Sequence, residues 1–294
     1  MSGFESPVGR VVVGVDCTPA SQTLVRWADR QAQLTGATLV AVTGWRIEMP
    51  GIDDFLSVPH VQDLTRRALA DTIGSALPDG RAAAVELHVS DLIPAEALLE
   101  QSTRADLIVV GPRSANVVEG LLLGSVTEKV VSQASCPVAV VHDAAEERSR
   151  RIVVGLDGSQ CSRRALDWAV RQAILTDSRV EAIWAWEWIP QYSVYPYGPP
   201  QATVEKAARA RLEHELATLP ATHAPVVAGR LHEGHPAQML LDASVGADLI
   251  VVGNHRAGPL SSRILGSVSQ KVVRHAVVPV VVVHEHDHMT VEAG

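Results

Sequence analysis

ADLIVVG stands at residues 105–111 and again at residues 247–253. Seven consecutive identities at an offset of 142 residues, in a chain of 294, mark an internal duplication. The rest of the sequence keeps step with it. RVVVGVD (10–16) answers RIVVGLD (151–157), and Arg26-Trp27-Ala28 answers Asp167-Trp168-Ala169. LGSV at 123–126 recurs at 265–268, and CPVAVVH (136–142) recurs as VPVVVVH (278–284). Two homologous domains are therefore expected, 8–143 and 151–287, joined by the polar, charged linker Ala144–Arg150. Domains of this length bury about two thirds of their unfolded surface and need neither disulfide nor metal to fold.

Within each copy the pattern alternates. RVVVGVD is a continuous run of β-branched apolar residues, the mark of a strand buried on both faces of a parallel sheet. Thr18 then reads as an N-cap with Pro19 at the first helical position. Leu24, Trp27, Ala28, Gln31, Ala32 and Leu34 carry a stripe near a period of 3.6 until Gly36 stops it. A strand (37–45), a helix (61–77), a strand (82–90), a helix (94–104), a strand (105–110), a helix (125–134) and a last strand (137–142) follow. Five strands alternating with four helices predict an α/β fold, two tandem doubly wound domains each built on a five-stranded parallel sheet. Right-handed crossovers place ligands of such sheets at the carboxyl ends of the strands, at the topological switch point.

Composition narrows the function classes. Hydrophobic residues are 47%, charged residues 20% and aromatics 4%, which excludes wholesale disorder and demands a core of Val, Leu, Ile and Ala. With Lys+Arg 25 against Asp+Glu 33, the net charge of −8 is unsuited to sequence-independent binding of phosphate backbones, so nucleic acid is not an expected partner. Cys17, Cys136 and Cys161 are odd in number, widely spaced and without a CxxC pair, as in a reducing compartment. No basic segment precedes an apolar run at the N-terminus, and no stretch of 18 apolar residues occurs. No membrane span and a cytoplasmic location are the expectations.

Unusual residues gather at the strand ends that flank the switch point. Gly14 and Asp16 end the first strand, and Gly155 and Asp157 end its twin. Glycine there admits close approach of a ligand. The carboxylate either accepts from ribose hydroxyls and holds a cation near phosphates, or begins the turn into the next helix. After strand four of the second copy runs the loop Gly253–Val268, which carries His255, Arg256, Gly258 and Arg263 and delivers Gly266 and Ser267 to a helix N-terminus. Unpaired backbone N–H groups and the positive dipole end favour an anion there; alternatively Gly and Ser only cap the helix. Neither GxxxxGK[ST] nor GxGxxG is present, which disfavours P-loop and dinucleotide-binding enzymes. No nucleophile has an identifiable base and no carboxylate pair stands out, so no enzyme activity, no catalytic residue and no resident metal site is expected.

Together VGVD, ADLIVVG, LGSV and CPVAVV with their second-half counterparts resemble the universal stress protein family, in its tandem-domain form common in mycobacteria and other actinobacteria. The resemblance covers essentially the whole chain, twice. The ATP-binding members of that family carry G-x2-G-x9-G-[ST] after strand four and an Asp at the end of strand one. The resemblance implies sheets of order 3-2-1-4-5 with an adenine nucleotide, ATP with or without Mg, between strands one and four. It places Asp16 and Asp157 at the ribose or metal–phosphate region. Gly111, Gly124 and Ser125, and Gly253, Gly266, Ser267 and Val268, would hold ribose and phosphates, and Gly44 and Ala185 would offer backbone atoms to adenine. The motif's second glycine is Ser114 in one copy and Arg256 in the other. A side chain there pushes the loop away from the phosphates, unless Arg256 itself donates to one.

The resemblance thus implies an ATP-binding regulatory protein of stress or dormancy responses. The alternatives are a nucleotide-free interaction protein with degenerate sites, or a slow ATP-cleaving enzyme. The second site is expected to bind more tightly, because Glu119 stands in the first copy's loop and the basic residues in the second's. The apolar last strands are candidates for edge association, and a homodimer is expected. Three further features have two readings each. The aromatic segment 184–200 is a lid or self-packed, Cys17 is a redox sensor or inert, and the alternating histidines of 284–288 are a metal binder or a solvated tail.

Overall fold

The computed structural model describes residues 9–46, 58–112, 123–142, 149–188, 199–254 and 265–284. The chain divides into two compact units at Ala144–Ala145.

In the first unit the order is β1 (Arg10–Gly14), α1 (Ser21–Thr35), β2 (Thr38–Gly44), α2 (Val58–Ala76), α3 (Asp79–Ala82), β3 (Glu86–Ser90), α4 (Pro94–Ser102), β4 (Leu107–Val110), α5 (Ser125–Gln133) and β5 (Val138–Val140). The strands are parallel in the order β3-β2-β1-β4-β5, with Val12 of β1 opposite Val40 of β2 and Ile108 of β4. Val12, Val13, Ile108 and Val109 are fully buried, because helices cover both faces of the sheet and the central strands have no solvated side.

The second unit repeats this with β6 (Arg151–Leu156), α6 (Gln160–Thr176), β7 (Arg179–Trp186), α7 (Gln201–Ala217), β8 (Val227–Glu233), α8 (Pro236–Ser244), β9 (Leu249–Gly253), α9 (Ser267–His275) and β10 (Val280–Val283). Its parallel order is β8-β7-β6-β9-β10. In each unit the chain leaves the first strand toward one side of the sheet and returns to pair on the other side. The tip of β1 is thus flanked by β2 and β4, and that of β6 by β7 and β9. No described helix is long and apolar enough to cross a membrane.

The element list departs from expectation in places. Helix α1 starts at Ser21, not after a Thr18 cap. Thr18 gives its hydroxyl to Asp16 Oδ1 at 2.7 Å, and Thr18 and Pro19 form a turn whose carbonyls accept from the Ser21 and Gln22 N–H groups. The second copy does have a side-chain cap, since Ser159 Oγ accepts from the Ser162 N–H at 3.1 Å. Trp27 and Leu34 are only half-buried, and Leu24, Val25, Ala28, Gln31 and Ala32 face the core. Residues 82–85, read as the start of a strand, belong to α3 and the turn after it, and β3 begins at Glu86. Asp79-Gly80 favours a turn over an extended run. The last strand of the first copy is also shorter than 137–142, pairing with β4 over Val138–Val140.

Candidate functional site

Each switch point opens into a cavity, of about 790 Å³ in the first unit and 820 Å³ in the second. Both volumes lie in the range of small-molecule sites, roughly 300–1,000 Å³. Gly14, Asp16, Gly44, Gly111 and Ser125 line the first, and Gly155, Asp157, Ala185, Gly253, Gly266, Ser267 and Val268 line the second. Gly124 does not line the first cavity but precedes Ser125 as the residue before the helix. Ser114, His255, Arg256 and Gly258 lie outside the described residues, as do Glu119 and Arg263.

Both cavities end at a helix start built in the same way. Gly124 and Gly266 occupy the N-cap positions of α5 and α9 in extended backbone, and neither helix has a side-chain cap. The serines, Ser125 and Ser267, are the first helical residues and do not cap. First-turn N–H groups without a capping side chain are oriented donors at the positive end of the helix dipole. Two hydroxyls fix that aim: Thr127 Oγ1 donates to the Gly111 carbonyl at 2.6 Å, and Ser269 Oγ donates to the Gly253 carbonyl at 2.8 Å. Sequence reading stopped at LGSV and missed both. The longer repeat GSV[ST], 124–127 and 266–269, was the available signal.

The acidic strand tips serve the fold as well as the cavity. Asp16 Oδ1 accepts from the Thr18 N–H at 3.1 Å, from Thr18 Oγ1 at 2.7 Å and from Ser21 Oγ at 2.5 Å, so it organises the β1–α1 turn. Asp157 Oδ1 accepts from the Ser159 N–H at 2.9 Å. The turn-forming reading of these carboxylates therefore holds, while both still face the cavities.

The glycines at the first-strand ends are also explained by packing. A Cβ on Gly14 would lie 3.0 Å from Leu98 Cδ1 of α4, and one on Gly155 would lie 2.9 Å from Leu240 Cδ1 of α8. Glycine here admits the helix leucine against the strand rather than being reserved for a ligand. At Gly44 a Cβ would meet the Leu92 carbonyl at 2.6 Å, a backbone contact that cannot give way, and at Gly253 it would meet the backbone of Cys161 at 2.7 Å.

Beyond the expected residues, the first cavity is lined by Trp45, Arg46 and Lys129, the last 3.4 Å from Glu96. The second has Trp184, Trp186 and Glu187, and a wall from α7 that includes Ala207, Ala208 and Arg211. Trp184 and Trp186 are buried at this wall, so the start of the aromatic segment belongs to the cavity; residues 189–198 lie outside the described set. The α7 wall escaped sequence reading because small alanines in a largely polar helix form no apolar stripe. The described walls do not repeat the charge asymmetry of the loops: Arg46 and Lys129 face the first cavity, whereas Arg211 is balanced by Glu187 at the second.

Cys17 neighbours Asp16 at φ 59°, and burial pushes its thiol above the ordinary pKa. The Asp16 charge adds to that rise, while hydrogen bonds with Thr72 and Thr43 oppose it without cancelling it. A protonated thiol is a poor nucleophile, which favours the inert reading. His284 is buried, so the histidine series does not begin in solvent; 285–288 lie outside the described residues. Among the described residues no group of three or more His, Cys, Asp or Glu could hold a metal ion.

Comparison with known proteins agrees with the duplication. The family model described as the universal stress protein family matches residues 7–142 and 148–284. The chain is 30% identical to a universal stress protein of Mycolicibacterium smegmatis, covering 93% of this chain and 96% of that one. It is also 30% identical to a universal stress protein of Mycobacterium tuberculosis, over 97% and 99% of the two chains. Among solved structures, a universal stress protein from Archaeoglobus fulgidus shares the fold with a TM-score of 0.67 at 20% identity, covering 94% of this chain and 96% of that one.

Proposed function

Because the chain belongs to the universal stress protein family and carries that family's domain twice, we propose that it is an ATP-binding regulatory protein of the stress response. The observation that carries this reading is the pairing, in each unit, of an uncapped helix start with a cavity of nucleotide size. Phosphates would lie against the first-turn N–H groups at Ser125 or Ser267. The base would lie toward the apolar, tryptophan-bearing tips of β2 or β7, since burial of a planar ring favours aromatic and aliphatic walls. Asp16 and Asp157, at the tips between, would face the ribose or a phosphate-bound Mg. The described groups that line the cavities bind and orient; among them none is placed as an activated nucleophile or base, which supports binding without turnover.

Mass spectrometry of small molecules released from the purified chain, with calorimetric titration of ATP into the stripped chain, tests this. Adenine nucleotide in the released fraction and saturable heat support it, and intact ATP retained over hours supports binding over cleavage. An empty chain with no heat at millimolar ATP overturns it. The same proposal includes a homodimer, to be checked by light scattering with and without ATP.

A further inference from the structure

Resting on that nucleotide reading, we propose that Arg163 and Glu215 are the positioning pair of the second crevice: neither lines it, and together they hold α7 in place as its wall. Arg163 stands at the first turn of α6, directly after the Asp157–Ser159 turn, and Glu215 in the last turn of α7. The guanidinium engages the carboxylate side-on, with Nε donating to Oε2 at 2.6 Å and Nη2 to Oε1 at 2.8 Å. Glu215 is buried and Arg163 exposed. A buried carboxylate without its cation is unfavourable, so this fork favours the docked position of α7.

Little else holds α7. Every residue of α6 and α7 is described, and only Ala208, Leu212 and Glu215 of the 17 in α7 are buried, against nine of the 17 in α6. Leu212 and Leu216 lie against Gly229 of β8, where a Cβ would meet them at 3.4 and 2.5 Å. These apolar contacts tie α7 to the edge strand, and the fork ties it to the start of α6 beside Asp157. Val204, Ala208, Arg211 and Glu215 recur at helical spacing and share one face of α7. The first three line the cavity, so fixing the fourth sets the rotation and height of the wall. Arg211 is also one turn from Glu215, the spacing of a helical ion pair. Because Arg163 occupies both carboxylate oxygens, Arg211 makes no hydrogen bond or ion pair with a described residue and stays available at the wall. The first crevice lacks this device: Gln22 stands at the Arg163 position and accepts from Arg26 of its own helix, and no described residue of α2 lines the cavity. Nucleotide affinity at the second crevice is thereby linked to the docking of α7, and such a linkage is reciprocal.

Calorimetric titration of ATP and hydrogen exchange of the α7 amides, both in the full chain, test this. In a Ser125→Asp chain, where the second crevice remains, Glu215→Gln is expected to weaken ATP binding about tenfold. Arg163→Lys, which keeps the charge but not the fork, should weaken it less. In a Ser267→Asp chain, where the first crevice remains, Glu215→Gln should leave ATP binding unchanged. Glu215→Gln should also speed exchange over residues 201–217, and ATP should slow it there in the native chain. Glutamine leaves no buried charge behind and Arg163 is free to turn to water, and circular dichroism checks that each variant is folded. Faster exchange with unaltered ATP affinity makes the fork purely structural and overturns the assignment while leaving nucleotide binding intact. Unaltered exchange, or an equal loss of affinity in the two aspartate chains, overturns it as well. Absence of ATP binding to the native chain defeats the nucleotide reading itself, and the assignment with it.

Discussion

Cys17 occupies, at φ 59°, the left-handed turn position that Gly158 fills at φ 81° in the second copy. A side chain in this conformation costs roughly 1–2 kcal/mol, which glycine avoids. Cys17→Gly is therefore expected to stabilise the first unit by about 1 kcal/mol, part of the relief being offset by the lost contacts with Thr43 and Thr72. Gly158→Ala is expected to destabilise the second unit by ~1–2 kcal/mol. A new Cβ there meets Trp184 at an ordinary 3.4 Å, so the cost is in the backbone and not in a clash. Urea unfolding of the four combinations checks both signs.

The thiol of Cys17 gives a pH dependence of definite sign. Its folded-state pKa is raised by burial, so the folded chain keeps the proton at alkaline pH values where the unfolded chain has released it. The unfolded state then binds fewer protons, and stability falls as pH rises from the ordinary thiol pKa through the raised one. The stability is fully present below that window. Cys17→Ser should remove this alkaline slope. Iodoacetamide labelling at neutral pH, followed by mass spectrometry, should find Cys17 at least several-fold slower than free cysteine; equal rates would contradict the assignment.

The contact between Gly155 and Leu240 predicts non-additive mutations. Gly155→Ala sets a methyl 2.9 Å from Leu240 Cδ1 and is expected to cost about 1–3 kcal/mol through overpacking. Leu240→Ala opens space beside the cavity and is expected to cost about 2–5 kcal/mol. In the double variant the methyl occupies part of the vacated room, so the combined loss should fall short of the sum by ~1 kcal/mol or more. Denaturant unfolding of the cycle measures that coupling.

A carboxylate at an uncapped helix start should separate stability from binding. Ser267→Asp places a negative charge at the positive end of α9 and is expected to stabilise the fold by ~0.3–1 kcal/mol. The same charge occupies the place proposed for phosphate, and ATP affinity at that crevice should drop at least ~100-fold. Ser125→Asp is expected to act likewise in the first unit. Calorimetry and thermal unfolding of each variant must move in opposite directions; a parallel change would count against the phosphate assignment.

The parts legible in the sequence were those set by strong local patterns. β-branched runs such as LIVV at 107–110 gave the buried strands, and the repeat doubled every assignment, because a strand buried on both faces leaves few alternatives. The start of α1 was misread because a Thr-Pro pair signals a helix entry whether or not the threonine hydroxyl is free, and Asp16 claims it. Cavity-lining residues next to strand ends were recognised wherever glycine or aspartate marked them. Arg46 and Glu187 were not, since a charged residue after a strand looks the same whether it faces bulk solvent or a cavity wall, and Arg211 was not, since it sits in the largely polar helix α7. The packing cause of Gly14 and Gly155 depends on Leu98 and Leu240, each more than eighty positions away along the chain, and short-range pattern carries no trace of it.

The hydroxyls of Thr127 and Ser269 hold the first turn of each helix to the tip of the neighbouring strand. Orientation of these donors is thereby set by the fold itself, and the first turn needs no rearrangement of its own to meet an anion. Occupancy should consequently follow concentration promptly. In the regulatory role proposed above, such preset donors would read a metabolite level as a gauge does.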